Sequence, residues 1–146
     1  MTAFLGIVSA FVARLNQAPA VSDTVLRARD RNIPETKAKA INVTYVGSRP
    51  AESVIDGSPV DWTSMIAVEC YAKTPANSTP DVALDELIND VYVRLAQDPT
   101  LGGLVDEIGT PSIEADYDSI GQRTGWAVMK YPVLHRTSNN TLEPET

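Results

Sequence analysis

The stretch from Pro111 to Arg136, PSIEADYDSIGQRTGWAVMKYPVLHR, decides the fold class. Its first part, Pro111 to Asp118, sets Ile113, Ala115 and Tyr117 against Glu114, Asp116 and Asp118. Its last part, Arg123 to Arg136, sets Trp126 and Val128 against Ala127, Met129, Tyr131 and Val133. Alternation with period two places successive side chains on opposite faces of an extended chain, so each run predicts a strand. Only Ser119-Ile120-Gly121-Gln122 separates them, which predicts a β-hairpin. Pro132 lacks the N–H that a ladder uses and predicts an edge or a bulge near the end of the second strand.

Upstream of the hairpin, Leu101-Gly102-Gly103-Leu104-Val105 is a short apolar turn whose glycines permit positive φ. No Lys follows at P-loop spacing and no strand feeds into it, so it does not read as a phosphate cradle. Before it, Leu84, Leu87, Ile88, Val91 and Leu95 form the stripe of an amphipathic helix, with Asp81, Asp85, Asn89 and Asp90 on the polar side. Thr79 is its expected N-cap, Pro80 its first residue, and Asp98-Pro99 its stop. The loop Thr74 to Ser78 leads into it.

Further back, Trp62 to Ala72 alternates Trp62, Ile66, Val68 and Cys70 with Thr63, Met65, Glu69 and Tyr71, and the mixed second face predicts cover by a helix or a subunit. Gly47 to Pro59, rich in Gly, Pro, Ser and Asp, predicts a long loop or a hairpin tip. Residues 38–46 hold Ile41, Val43 and Tyr45 in period two, another strand. Val25 to Arg31 alternates as well, placing Arg27, Arg29 and Arg31 on one face and Leu26 and Ala28 on the other. The first segment, Thr2 to Gln17, carries Phe4, Val8, Phe11 and Leu15 at helical spacing, with Leu5, Ile7 and Val12 widening the stripe, and Ala18-Pro19 ends it. It has no basic residue before Arg14 and no small-x-small cleavage pattern, so it reads as a helix of the fold rather than a leader, its aromatics serving the core. The element order therefore predicts an α+β fold: a mixed, mostly antiparallel sheet with two main helices packed on one face. Residues 1–137 form one expected domain and 138–146 a polar, flexible tail.

Composition agrees with an ordinary globular chain of 146 residues, 43% hydrophobic and 21% charged, which excludes wholesale disorder and a disulfide scaffold. The one cysteine, Cys70, has no intrachain partner and fits a reducing, cytoplasmic setting. No segment approaches the roughly 20 apolar residues of a membrane span, so no membrane partner is expected. The net charge of −7 argues against gripping nucleic acid, since that binding needs Lys and Arg to displace counterions. The charge is unevenly distributed: residues 1–49 carry net +4 and residues 50–146 net −11. These could be ordinary solvated faces, or a basic patch on one copy that meets an acidic patch on the next, a head-to-tail contact able to close into a ring. The arginine face of residues 27–31 could take phosphate or carboxylate, and the acidic remainder of the chain favours carboxylates of a neighbouring subunit.

Candidate catalytic groups are few. His135 is the only histidine, so there is no two-histidine metal site, and no G-x-S-x-G motif prepares a serine for it. Cys70 sits mid-strand as a small hydrophobe. Glu114, Asp116 and Asp118 share one strand face and could hold a divalent cation or act as an acid/base pair, yet Arg27, Arg29 and Arg31 at equal spacing offer a simpler partner. The expectation is an assembly role with no catalytic residue, no metal and no cofactor. An alternative is a small cytoplasmic ligand-binding or hydrolase domain using Glu114, Asp116, Asp118 and His135.

From residue 10 to residue 136 the order of features resembles the tail terminator family of long-tailed bacteriophages, also called minor tail protein U or tail completion proteins. The resemblance lies in the apolar first helix followed by Ala18-Pro19-Ala20-Val21, the basic run Arg27-Ala28-Arg29-Asp30-Arg31, and the strand carrying Val68-Glu69-Cys70-Tyr71-Ala72. It continues through Arg94-Leu95-Ala96-Gln97-Asp98-Pro99-Thr100-Leu101-Gly102-Gly103-Leu104, Ile113-Glu114-Ala115-Asp116-Tyr117-Asp118 and the closing Leu134-His135-Arg136-Thr137. The resemblance implies a homohexameric ring that caps the head-proximal end of the tail tube, stops tube polymerisation and provides the head-tail joining surface. Its implied partners are further copies of itself, the tail tube protein and a head-completion or connector protein, with DNA passing through the lumen without specific binding. It implies a place in the neck of the virion tail after synthesis in the host cytoplasm. Arg27, Arg29 and Arg31 then become ring or tube contacts. Another neck component, such as a head-completion protein, belongs to the same class.

Overall fold

The computed structural model describes residues 1–22, 24–27, 39–51, 58–73, 79–117, 124–138 and 140–144. The expectations for Ala28 to Arg31, for the 52–57 and 74–78 loops, for Asp118 and for the 119–122 connection lie outside the described residues. The elements run α1 (Ala3–Asn16), β1 (Val25–Arg27), β2 (Lys39–Pro50), β3 (Val60–Lys73), α2 (Pro80–Ala96), β4 (Glu107–Ile108), β5 (Ser112–Tyr117) and β6 (Thr124–Thr137). The sheet order is β1-β2-β3-β6, with β4 and β5 both on the far side of β6. The β1–β2 pair is parallel and every other pair antiparallel. This is the expected α+β class, a mostly antiparallel mixed sheet with two helices.

Both helices bury their apolar stripes on one sheet face. Ile7, Val8, Phe11 and Leu15 from α1 and Leu84, Leu87, Val91 and Leu95 from α2 meet Ile41, Val43, Ile66, Val68, Cys70, Ala127, Met129 and Val133, all buried. The register explains the grouping: Val43 pairs with Val68 and Val68 with Met129, so one row of alternate residues faces the helices across three strands. Each fully buried side chain of this size contributes about 1.5–3 kcal/mol. Thr2 caps α1 by accepting the Leu5 N–H at 3.3 Å. Thr79 holds the cap position of α2, but its side chain makes no cap bond. Leu101, Gly102 and Gly103 all take positive φ, as the turn reading requires. No helix of the described residues is long and apolar enough to cross a membrane.

Three details depart from expectation. Residues 47–50, read as part of a long loop or a hairpin tip, continue β2 in its antiparallel pair with β3, because a bulge between Tyr45 and Gly47 resets the alternation and hides the strand period while the ladder carries on to Pro50. Pro132 lies in an interior strand rather than at an edge. Its carbonyl accepts the Gly109 N–H at 2.7 Å on the side where β4 and β5 are interrupted. In an antiparallel strand a residue's N–H points to the same side as its C=O, so the missing donor falls in that gap. The polar tail returns to the fold: Leu142 O accepts from Ala3 N at 2.7 Å, and Thr137 bridges Pro144. One of the N–H groups at the α1 N-terminus that no helical bond can satisfy thereby finds an acceptor, a contact that composition does not encode.

Candidate interaction surface

The basic strand begins at the β1 edge of the sheet, where Arg27 is exposed. Its register partner is Val43, so its side chain leaves on the helix-covered face and reaches α1. There it donates Nη1 to Ser9 Oγ at 2.7 Å and Nη2 to the Leu5 carbonyl at 3.2 Å. Arg27 is thus an intramolecular tie before it is anything else. The alternation of the sequence puts Arg27 and Leu26 on opposite faces, as found, but does not say which face meets the helices. Val25 and Arg27 lie along the helix side, and Leu26 faces away. Arg29 and Arg31 lie outside the described residues.

The acidic strand forms the other edge. All six residues of β5 are exposed, and among the described residues β5 pairs only with β6. Glu114 stands opposite Val128 and Asp116 opposite Trp126, which places both carboxylates on the sheet face away from the helices. Asp116 Oδ1 accepts its neighbour Tyr117 N–H at 2.8 Å. Between β1 and β5 lie β2, β3 and β6. At about 4.8 Å per strand the two edges stand roughly 19 Å apart, so their charges cannot pair within one chain.

His135 does not join Glu114 and Asp116. It projects on the helix side of β6 and is buried, whereas the carboxylates project on the opposite side of the sheet. The alternative constellation of His135 with the acidic strand is therefore divided by the sheet itself. What His135 does meet is Ser64, whose Oγ lies 2.6 Å from Nε2; Ser64 Oγ lies 2.6 Å from Ser48 Oγ, which in turn lies 2.5 Å from the Tyr45 hydroxyl. A serine–histidine pair invites a nucleophilic reading, but Ser64 has no exposed surface from which to attack a substrate. Phe4 closes the cluster, edge-on to His135 and Trp62 and stacked on Tyr45. Burial pushes the His135 pKa below its ordinary value, with the Asp106 charge acting in the opposite direction. Cys70, fully buried, is pushed up to about 12 by burial and by the Glu69 charge, so it is a protonated thiol. Among the described residues no three His, Cys, Asp or Glu side chains gather to hold a metal.

Two of the concave regions among the described residues bear on function. The larger, about 640 Å³, lies where the C-terminal ends of α1 and α2 meet, and an arginine clasp occupies it. Arg94 donates to the carbonyls of Arg14, Gln17 and Pro19, while Arg14 Nε donates to the Arg94 carbonyl at 3.3 Å. Cations at helix C-termini satisfy carbonyls left without intrahelical donors and oppose the dipole, so this clasp is structural. Sequence reasoning missed it, because nothing local links residues 80 positions apart. The smaller depression, about 240 Å³, lies on the sheet face that neither helix covers and is lined by Glu69, Tyr71, Trp126, Ala127 and Val128.

No protein-family model matches the chain, and no curated protein matches it in sequence. Among solved structures it is similar to a component of an extracellular contractile injection system described as the PVC sheath/tube terminator in extended state. The TM-score is 0.39, with 12% identity over 97% of this chain. The chain spans 60% of the length of that protein. A likeness this distant transfers no role, and the functional reading rests on the chain's own residues.

Proposed function

We propose that this protein is a structural assembly subunit, a phage tail terminator that caps the head-proximal end of a tail tube, stops its growth and offers the surface to which the head joins. The observation that supports the reading is the exposed acidic edge strand β5, set across three strands from β1, where the basic run of the sequence starts. The basic segment starts at β1, and Glu114 and Asp116 lie on β5 across three intervening strands. Edges of opposite sign that cannot meet within a chain are suited to meeting between chains, head to tail, and such contacts close into a ring when the rotation permits. The family resemblance of residues 10–136 supplies the hexameric form of that ring, its tube and connector partners, and its seat in the virion neck. Arg29, Arg31, Glu114, Asp116 and Asp118 are the proposed contacts. Arg27 supports the same edge from within by tying it to α1.

Electron microscopy of a lysate in which this gene is interrupted tests the reading. Headless tails of overlong and variable length are the expected result. Tails of normal length joined to heads overturn it, and normal tails left unjoined replace it with another neck protein. A companion variant reverses Arg29 and Arg31 to Glu while leaving Arg27 in place, because reversing Arg27 would also release α1. The expected outcome is loss of the ring with a folded monomer.

A further inference from the structure

The sheet face without helices carries an aromatic depression whose rim is acidic. Tyr71 and Trp126 are direct cross-strand partners, and Asp116 is the next partner beyond Trp126, so these three side chains share one row. In the adjacent row Glu69, Val128 and Glu114 follow one another in the same order. Directly opposed side chains across an antiparallel pair have Cβ atoms about 4.5–5.5 Å apart, so the rings and the carboxylates share one small area. Tyr71, Trp126 and Val128 are all half-buried, and the depression between them measures about 240 Å³. Asn42 Nδ2 donates to Glu69 Oε2 at 3.2 Å and holds that carboxylate on this face. Two cations flank these rows on the same face, Lys130 opposite Ser112 at one end and Lys73 opposite Thr124 at the other; against the three carboxylates of Glu69, Glu114 and Asp116 the patch stays net negative.

We propose that this depression is an arginine socket, and that its occupant is a guanidinium from the 29–31 segment of a second copy of this chain; this rests on the head-to-tail assembly proposed above. The chemistry selects arginine. A guanidinium is planar, stacks on Trp and Tyr faces, and presents a donor fork that matches a carboxylate, whereas a bare ammonium uses only the charge. Phosphate and DNA are disfavoured by the three carboxylates around the rings, Asp116 in their own row and Glu69 and Glu114 in the next. Spacing selects the segment. Arg29 and Arg31 alternate along the chain, as do Glu114 and Asp116, and in extended backbone both pairs repeat at about 6.6 Å. One arginine enters between the rings while the next meets the β5 carboxylates.

The test combines a peptide with the whole protein. A fluorescently labelled peptide copying residues 25–33, VLRARDRNI, is titrated with full-length protein and followed by anisotropy, alongside the sedimentation profile of the protein alone. The wild type is expected to bind the peptide at concentrations where it is monomeric and to assemble at higher ones, with the peptide then competing against assembly. Trp126→Ala is expected to weaken peptide binding by about tenfold or more and to shift assembly to higher concentration, while Trp126→Phe, which keeps a ring, retains most of both. Urea midpoints for each variant identify any that fail to fold, and Glu114→Gln, at an exposed position, supplies the reading should Trp126→Ala unfold. Absence of peptide binding at concentrations where the protein sediments as a monomer, its sockets unfilled by neighbours, overturns the socket. Assembly that Trp126→Ala and Glu114→Gln leave unchanged overturns the socket and leaves the ring standing. A protein that stays monomeric at every concentration while binding the peptide overturns the second copy as occupant and the ring with it.

Discussion

Replacing Ser64 by Ala probes whether the buried histidine is a core element or a reactive one. Ser64 Oγ is 2.6 Å from His135 Nε2, and His135 is 2% exposed with Nδ1 lacking a hydrogen-bond partner. Ser64→Ala therefore leaves the second ring nitrogen stranded as well, while Ser48, nearer the surface, can turn to water. A buried polar group left unsatisfied costs about 1–3 kcal/mol, so a loss of about 2 kcal/mol is expected, which lowers Tm by roughly 4–8 °C in a protein of this size. The double variant Ser64→Ala, His135→Leu removes both partners and should recover most of the loss, because exchanging both members of a buried pair for apolar groups is nearly neutral. Protonation adds a second signature. Burial lowers the folded-state pKa of His135, so as pH falls through about 6.5 the unfolded chain takes up a proton that the folded chain refuses. The contribution of this group is complete above that value, declines below it, and is gone once the pH passes the folded pKa. As the chain has a single histidine, a comparison at pH 7.5 and 5.5 isolates this group. Urea denaturation at both values is the assay. A wild-type pH dependence that persists in the His135→Leu variants, or a double variant no more stable than Ser64→Ala, would refute the reasoning.

Three further outcomes follow from the packing. Gly109→Ala should destabilise by about 1–3 kcal/mol in thermal denaturation, since its Cβ would lie 2.8 Å from Pro132 Cγ and 3.3 Å from the Pro132 carbonyl and the pyrrolidine ring cannot yield. Arg94→Ala removes the donors that hold the Arg14, Gln17 and Pro19 carbonyls, so amide exchange around Leu15 to Val21 should rise and stability fall by about 1–3 kcal/mol, with Arg94→Lys restoring only part. Ending the chain after Ser138 deletes the Leu142 carbonyl that accepts from Ala3, and the first turn of α1 should fray, seen as faster exchange at Ala3 with the global urea midpoint nearly unchanged.

The helices and the long strands were legible because their periods are set by one-sided burial. Leu84, Leu87, Val91 and Leu95 face the sheet at helical spacing, and Ile66, Val68 and Cys70 do so at strand spacing, so solvent and core leave separate imprints on the sequence. Legibility ended where backbone or distant partners decide. The bulge at Tyr45 and Gly47 carries no composition of its own, and the opposite edge of β6 beside Pro132 is set by where β4 stops and β5 begins. The sequence placed Arg27 and Glu114 correctly as alternating strand residues but could not say which face each side chain takes. That sign depends on the sheet order, which also separates His135 from the acidic strand.

The edge charges bear on termination as well as on association. An exposed edge strand is a template for further pairing, and β5 offers one with Ile113 46% and Tyr117 44% exposed. Uncharged, such an edge would accept many strands; with Glu114 and Asp116 alternating along it, acidic or neutral strands meet repulsion or desolvation, and a basic strand is favoured. In the proposed ring each copy uses one basic and one acidic edge, so closure consumes all of them, whereas an open chain of copies would keep one of each at its ends and continue to grow. On the proposed function a cap of fixed size is needed, and closure supplies it. Sedimentation at rising salt tests this argument. Screening shortens the reach of exposed charges from about 10 Å at 0.1 M to about 3 Å at 1 M, so the assembly should dissociate directly to monomers as salt rises. A ladder of chains of increasing length, at any salt, would show edges that remain open and would remove the basis for termination.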